Sequence, residues 1–167
     1  AAAARDCIGI AMTASRPLMT YVGSRAEALS TNPLAIAAPN PKGGPPIVLD
    51  MSTSAAALGK VMAARQTGRS IPIGWGVDAT GADTTDPKAV TSLLPMAGAK
   101  GSGLSLMIEV LGSVLVANPI IATALNKTGK TAFNGIAMAL DIRAFGDVGA
   151  FHDGIAELAA AIKALPP

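Results

Sequence analysis

LLPMAGAKGSGLSLMIE, residues Leu93–Glu109, carries more structural information than any other stretch of this chain. Lys100 sits alone among glycines and alanines, directly ahead of an apolar run of helical length. The pattern predicts a helix from about Gly103 to Val116, entered through a glycine-lysine loop. Gly101 and Gly103 would let the backbone come close to a ligand, and the first N–H groups of a helix have no internal partner. A cation beside such donors, at the positive end of the helix dipole, makes a site for a phosphate or carboxylate. A tight loop with an exposed lysine explains the same residues, so this segment alone leaves both readings open.

Upstream, Cys7–Thr13 (CIGIAMT) and Pro33–Ala38 (PLAIAA) are apolar runs of strand length, the second bracketed by Asn32 and by the turn-rich Pro39–Pro46. Ile47–Met51 (IVLDM) reads as a buried strand with Asp50 near its end. Ser52, Thr53 and Ser54 offer hydroxyl N-caps to a helix running to about Gln66, which Gly68 closes. Gly59 inside that helix costs about 1 kcal/mol against alanine, which predicts close packing there. Arg69–Ser92 is rich in turn formers (Pro72, Gly74, Gly76, Gly81 and Pro87) and reads as a long loop, a feature usually kept for function.

Downstream, Leu104–Ile121 reads as a buried helix and not as a membrane span, because Glu109, Asn118 and Pro119 interrupt it. Phe133–Asp141 (FNGIAMALD) reads as a strand. Phe151, Ile155, Leu158, Ile162 and Leu165 recur at steps of three and four, one face of a helix. The order is mixed α/β.

Composition narrows the class. At 167 residues the chain fits one domain. Half its residues are apolar, but the aromatics are only Tyr21, Trp75, Phe133, Phe145 and Phe151. A core of Ala, Ile, Leu, Val and Met suits helices packed on a sheet better than a small all-β sandwich. The net charge of +2 is dispersed, without a basic run interleaved with aromatics, so nucleic-acid binding is unsupported. Cys7 is the single cysteine, which excludes an intrachain disulfide and a cysteine metal cluster and fits a reducing, cytoplasmic setting. Ala1–Ala4 lacks the basic leader and apolar core of a signal peptide. AAAARD at one end and Leu165-Pro166-Pro167 at the other read as cut ends, so the expectation is a fragment.

Generic motifs give little chemistry. Ala99-Lys100-Gly101-Ser102 lacks the glycine order of a P-loop, and Leu106 takes the place of the third Rossmann glycine after Gly101 and Gly103. His152, the single histidine, opens an amphipathic segment beside Asp153 and reads as a solvated surface residue. A histidine-based triad or zinc site finds no partners. Asp50 suits a ribose acceptor or a helix cap. Asp83 and Asp86, around a TTDP turn, read as Asx-turn residues ahead of metal ligands.

Taken together, several blocks carry a resemblance. They are CIGIAMT…S (Cys7–Ser15), STNPLAIAAP (Ser30–Pro39), IVLDMSTSAAALGKV (Ile47–Val61) with IPIGWGVDATGADTTDP (Ile71–Pro87), LLPMAGAKGSGLSLMIEVL (Leu93–Leu111) and FNGIAMALDIRAFGD (Phe133–Asp147). In this order they resemble the malate/L-lactate dehydrogenase family of the non-Rossmann type, which includes sulfolactate and ureidoglycolate dehydrogenases and piperideine- and pyrroline-2-carboxylate reductases. LDMSTS and GWGVDATG…TTDP make the resemblance more specific than any glycine loop, and it covers nearly all of the chain from Cys7 onward.

The resemblance implies an α/β fold with a mixed sheet and packed helices, a non-Rossmann NAD(P)-binding domain of the sulfolactate dehydrogenase-like type over residues 1–167. It implies that Ser15 contacts the nucleotide after the first strand. Leu49, Asp50 and Met51 would lie along the adenosine, Thr31 and Asn32 would line the nicotinamide side, and Lys100 would grip a cofactor phosphate. The cofactor would be NAD or NADP, the substrate a small 2-hydroxy acid or cyclic 2-imino acid, and the assembly a homodimer with its active site near the subunit interface. The family's proton-transferring histidines and substrate-carboxylate arginine lie N-terminal to the matched part, and a C-terminal return segment also lies outside it. His152 matches none of these, so the fragment alone is expected to be inactive. Ser102 stands where an aromatic is common and Asn134-Gly135 replaces a bulkier pair, which leaves the substrate open. The alternative is a catalytically silent binding or scaffold domain of the same fold. A phosphotransferase is weaker, because the chain has neither a P-loop nor a metal-binding carboxylate cluster.

Overall fold

The computed structural model describes residues 1–40, 44–130 and 132–166. Pro41, Lys42 and Gly43 of the turn-rich Pro39–Pro46 segment, and the closing Pro167, lie outside the described residues. A short 3-10 turn at Ala3–Arg5 precedes β1 (Cys7–Ala14), β2 (Met19–Thr20), β3 (Glu27–Leu29), β4 (Leu34–Ala38) and β5 (Ile47–Met51). Then come α1 (Leu58–Thr67), β6 (Gly76–Val77), β7 (Ser92–Leu93), α2 (Ala99–Glu109), α3 (Ala122–Leu125), β8 (Asn134–Asp141) and α4 (Val148–Lys163). The chain divides into two compact units. The first comprises Ala1–Ala11, Ala35–Asp50 and Ala137–Pro167, and the second Met12–Leu34 and Met51–Ile136.

The first unit is built on a four-stranded sheet in the order β5-β4-β1-β8. Each of these strands falls on an apolar run that predicts one. Burial differs from expectation in β5: Ile47, Val48 and Leu49 are all exposed, Val48 at 57%. An apolar run favours an extended strand, but β5 is an edge strand, and an edge has a neighbour on one side only. Helix α4 forms as its periodicity predicts, with Asp147 as its N-cap: Asp147 Oδ1 accepts from Ala150 N–H at 2.8 Å. Phe151 and Ile155 are half-buried, while Leu158, Ile162 and Leu165 are exposed.

The second unit carries a mixed sheet in the order β3-β2-β7-β6. Strand β2 runs antiparallel to β3 and parallel to β7, with Met19 opposite both Leu29 and Leu93, and β6 runs antiparallel to β7. Met19, Leu29, Val61, Ile71, Val90, Leu93 and Ile121 form its core, with Tyr21, Leu58 and Trp75 packed against it. The expected Arg69–Ser92 loop is an ordered part of this core. It supplies Ile71, Val77 and Val90, and Arg65 donates hydrogen bonds at 2.6 Å to the carbonyls of Pro87 and Val90.

The starts of α1 and α2 differ from the sequence reading. Ser52, Thr53 and Ser54 do not cap α1, which begins at Leu58 after an Ala57 that has no side-chain cap. Ser54 donates to the Ala56 carbonyl at 2.7 Å instead, a local turn that competes with capping. Gly68 does close α1, at φ +67°. Gly59 faces open space, not a close neighbour. Helix α2 begins at Ala99, so Lys100 and Gly101 lie in its first turn and not in a preceding loop. The turn into α2 is made by Ala97 and Gly98, at φ +47° and +60°.

Gly101 has a packing role. A Cβ there would meet the Met96 carbonyl oxygen and would stand 2.6 Å from the Thr53 carbonyl oxygen, so only glycine lets α2 lie on that backbone. The expected buried helix Leu104–Ile121 is also interrupted. After Glu109 the helix widens into a π turn at Val110–Val114, and Glu109 Oε1 accepts from Ile121 N–H at 2.8 Å. Leu106, Met107, Val114, Leu115 and Val116 are exposed.

Candidate functional site

Ser15 follows β1 and its hydroxyl pairs with that of Ser30 at 2.7 Å. Ser30 opens the Ser30-Thr31-Asn32 segment, which runs beside two other parts of the second unit. The Thr31 carbonyl accepts from Thr53 N–H at 2.9 Å, and the Thr53 carbonyl accepts from Met96 N–H at 2.9 Å. Gly101 N–H then donates to the Met96 carbonyl at 2.8 Å, which ties the first turn of α2 to this backbone. From α2, Ser105 Oγ donates to the Ser30 carbonyl, and the Ser105 carbonyl accepts from Asn32 Nδ2, both at 2.9 Å. Ser15, Thr31, Asn32 and the helix bearing Lys100 thus belong to one hydrogen-bonded patch.

The members of that patch differ in reach. Ser15 and Thr31 are half-buried and Lys100 is exposed. Asn32 is fully buried, with its amide nitrogen committed to α2, and supports the wall from behind. Asn32 Oδ1 and Thr53 Oγ1 are buried without a hydrogen-bond partner among the described residues. Leu49 and Asp50 belong to the first unit and are exposed on β5; half-buried Met51 begins a segment of the second unit. Asp50 makes no side-chain hydrogen bond among the described residues, so its carboxylate is available as an acceptor and is not a helix cap.

The N-terminal end of α2 presents the exposed Lys100 side chain. Its N-cap, Gly98, brings no side-chain oxygen to the first helical donors. Gly98 also lines a cavity of about 300 Å³ with Tyr21, Gly23, Ser24, Leu94 and Pro95. The Gly98, Lys100 and Gly101 N–H groups donate to the Pro95, Ala97 and Met96 carbonyls, which leaves the Ala99 N–H as the donor of this turn without a partner among the described residues.

The two positions that depart from the family pattern both have structural partners. Ser102 Oγ, fully buried, accepts from Val22 N–H at 3.0 Å. Asn134 Nδ2 donates to Ser113 Oγ and to the Pro119 carbonyl, each at 2.8 Å. Sequence reasoning passed over Ser30 and Ser105. The available signal was the spacing of Gly101, Ser102, Ser105 and Glu109, which puts small and polar residues on one helix face.

His152 is half-buried, not solvated as expected. Its Nε2 lies 3.3 Å from Asp6 Oδ1, and the two line a cavity of about 480 Å³ in the first unit. None of the seven expected cofactor residues lines that cavity. Asp86 behaves as an Asx-turn residue, its Oδ1 accepting from Lys88 N–H at 2.9 Å. Asp78 organises the neighbouring turn, its Oδ1 accepting from Thr80 Oγ1 at 2.7 Å, Thr80 N–H at 2.8 Å and Ala82 N–H at 3.1 Å. The Thr80 hydroxyl, followed by these backbone donors, holds the Asp78 carboxyl below the usual aspartate range. Among the described residues no cluster of His, Cys, Asp and Glu could hold a metal ion, and no helix is long and apolar enough to cross a membrane.

Comparison with known proteins gives this geometry a context. The malate/L-lactate dehydrogenase family matches residues 1–167. Ureidoglycolate dehydrogenase (NAD(+)) of Escherichia coli O157:H7 is 48% identical over 118 residues, which cover 71% of this chain and 34% of that protein. A delta(1)-pyrroline-2-carboxylate/delta(1)-piperideine-2-carboxylate reductase of Pseudomonas putida is 50% identical over 96 residues, 56% of this chain and 28% of that one. The solved structure of sulfolactate dehydrogenase from Methanocaldococcus jannaschii superposes with a TM-score of 0.83 at 33% identity, covering 99% of this chain and 49% of that one. The chain therefore spans about a third of the length of the first of these relatives and about half of the solved structure. The mixed α/β fold is the one found in sulfolactate dehydrogenase. With a match along its whole length and this shared fold, the chain belongs to the malate/L-lactate dehydrogenase family.

Proposed function

We propose that this chain is the cofactor-holding part of an NAD(P)-dependent oxidoreductase. The enzyme moves a hydride between nicotinamide C4 and the C2 carbon of a small 2-hydroxy acid or cyclic 2-imino acid. The observation that carries this reading is the exposed Lys100 in the first turn of α2, at a helix end whose N-cap is a glycine. A phosphate there meets the Lys100 point charge and the Ala99 N–H, the first-turn donor without a partner among the described residues. The Ser15 hydroxyl, anchored on Ser30, offers a polar contact to the nucleotide, and half-buried Thr31 lines the same patch. Leu49 and Met51 offer apolar contact to adenosine, and the Asp50 carboxylate accepts from ribose hydroxyls.

A bound nicotinamide cofactor would carry the hydride, as donor or acceptor; these residues would bind and orient it. Proton transfer and the grip on the substrate carboxylate fall to family segments outside the matched positions, so this chain by itself binds cofactor without turnover. The substrate class follows the names of the relatives, a ureidoglycolate dehydrogenase and a cyclic imino acid reductase. The complete enzyme is a cytoplasmic homodimer in this reading.

Fluorescence titration with NADH and NADPH, side by side, tests it. Saturable binding is expected, and Lys100→Ala should raise Kd by about tenfold or more, the effect of losing a charge-assisted hydrogen bond. A folded Lys100→Ala variant with parental affinity removes Lys100 from the site. A folded parent that binds neither nucleotide favours the silent scaffold.

A further inference from the structure

Ser30 and Ser105 lie in blocks that carry the family resemblance but have no role assigned above, and they stand between two of the proposed contacts. Both are buried, Ser105 completely and Ser30 at 2% exposure. A serine inside a helix commonly bonds back to its own preceding turn. Ser105 instead sends its hydroxyl to the Ser30 carbonyl, 75 residues away in sequence, and its carbonyl takes the Asn32 amide across a separation of 73. The result is a two-way clamp between α2 and the Ser30–Asn32 segment. Ser30 Oγ then meets Ser15 Oγ at 2.7 Å and has no other hydrogen-bond partner among the described residues. Only one of the two protons lies between these oxygens, so the pair keeps one proton to direct elsewhere. Ser15, half-buried where Ser30 is not, is the member that a ligand can reach.

We infer that Ser30 and Ser105 are positioning residues for the cofactor: the chain Ser15–Ser30–Ser105 holds the Ser15 hydroxyl in register with α2 and therefore with Lys100. This rests on the cofactor-binding reading above. Ser30 sets the direction of the Ser15 hydroxyl, and Ser105 sets the seat of the helix. Neither touches the cofactor. Their removal weakens binding through Ser15 and α2.

The test is a double-mutant cycle on the 167-residue chain, read as Kd for whichever of NADH or NADPH binds the parent more tightly. Melting is followed in parallel so that titrations are made on folded protein. Ser30→Ala deletes the hydroxyl facing Ser15 and keeps the carbonyl that Ser105 binds. It should raise Kd about three- to tenfold, the effect of one neutral hydrogen bond. Ser15→Ala with Ser30→Ala should then cost little more than either alone, because both delete the same arm. Ser105→Ala should raise Kd similarly and be non-additive with Lys100→Ala. Should Ser105→Ala fail to fold, the Ser15–Ser30 cycle alone decides. A merely structural role lowers the melting temperature, leaves Kd at the parental value and gives additive cycles; that result overturns the proposal while the parent still binds. A parent without affinity for either nucleotide overturns the functional reading and this one with it.

Discussion

Helix α2 buries Gly101, Ser102, Ser105, Ile108 and Glu109 and exposes Leu106 and Met107, whereas α4, apolar along one face, has no fully buried residue. The two helices invert the usual relation between hydrophobicity and burial. In α2 the buried polar side chains find specific partners: Ser102 the Val22 N–H, Ser105 the Ser30 carbonyl and Glu109 Oε1 the Ile121 N–H, while Glu109 Oε2 is buried without a partner among the described residues. For the two serines burial is tolerable because the hydrogen bonds lost to water are replaced. In α4 the periodic leucines and isoleucines make the helix amphipathic, but periodicity says nothing about what covers the face. Partners, more than polarity, decide which side of a helix is inside.

The contrast can be broken most directly by truncation. Leu93 on β7 is 1% exposed and in the core of the second unit, whereas Leu158 on α4 is 56% exposed. Leu93→Ala should destabilise the chain by about 2–5 kcal/mol in urea unfolding. Leu158→Ala should stay within about 0.5 kcal/mol of the parent. Equal losses would mean that α4 is as well packed as the second unit's core, and the comparison would fail.

A gentler test sets one glycine against another. Gly101→Ala pushes a methyl against the Met96 and Thr53 carbonyls and should cost about 1–3 kcal/mol, since backbone cannot step aside as a side-chain end can. Gly59→Ala, in the open face of α1, should stabilise by up to about 1 kcal/mol. The opposite signs are the signature; two stabilising substitutions would show that α2 does not rest on that backbone.

The smallest effect concerns acid. The Asp78 carboxyl is held below its ordinary value of 3.8 when folded, chiefly by the Thr80 hydroxyl. A depressed carboxylate contributes stability that is fully present above the ordinary value and lost as pH falls through the lower, folded one. Asp78→Ala should therefore be less stable than the parent at neutral pH, with the gap closing in the acid range below pH 3.8. Asp78 is half-buried in a surface turn whose carboxylate solvent screens, so the gap is small. A difference that widens toward acid would reverse the assignment.

Much of this was readable from neighbours along the chain. The apolar runs at Cys7, Pro33, Ile47 and Phe133 predicted β1, β4, β5 and β8, the periodic Phe151–Leu165 pattern predicted α4, which ends at Lys163, and Gly68 ended α1. These are local effects of strand and helix period and of left-handed backbone, which act over a few residues. The same is true of Lys100 as a cation close to a helix start, and of the long blocks that carry the family resemblance.

Three-dimensional packing settled the rest. Where α2 begins depends on Gly101 lying against Met96 and Thr53, and the burial of Ser105 depends on Ser30, distant in sequence. The exposure of β5 depends on its place at a sheet edge. A hydroxyl reads as a surface group or a cap until its partner is known, and an apolar run reads as core until its cover is known. Chain order states neither, because both are contacts between segments that only folding brings together.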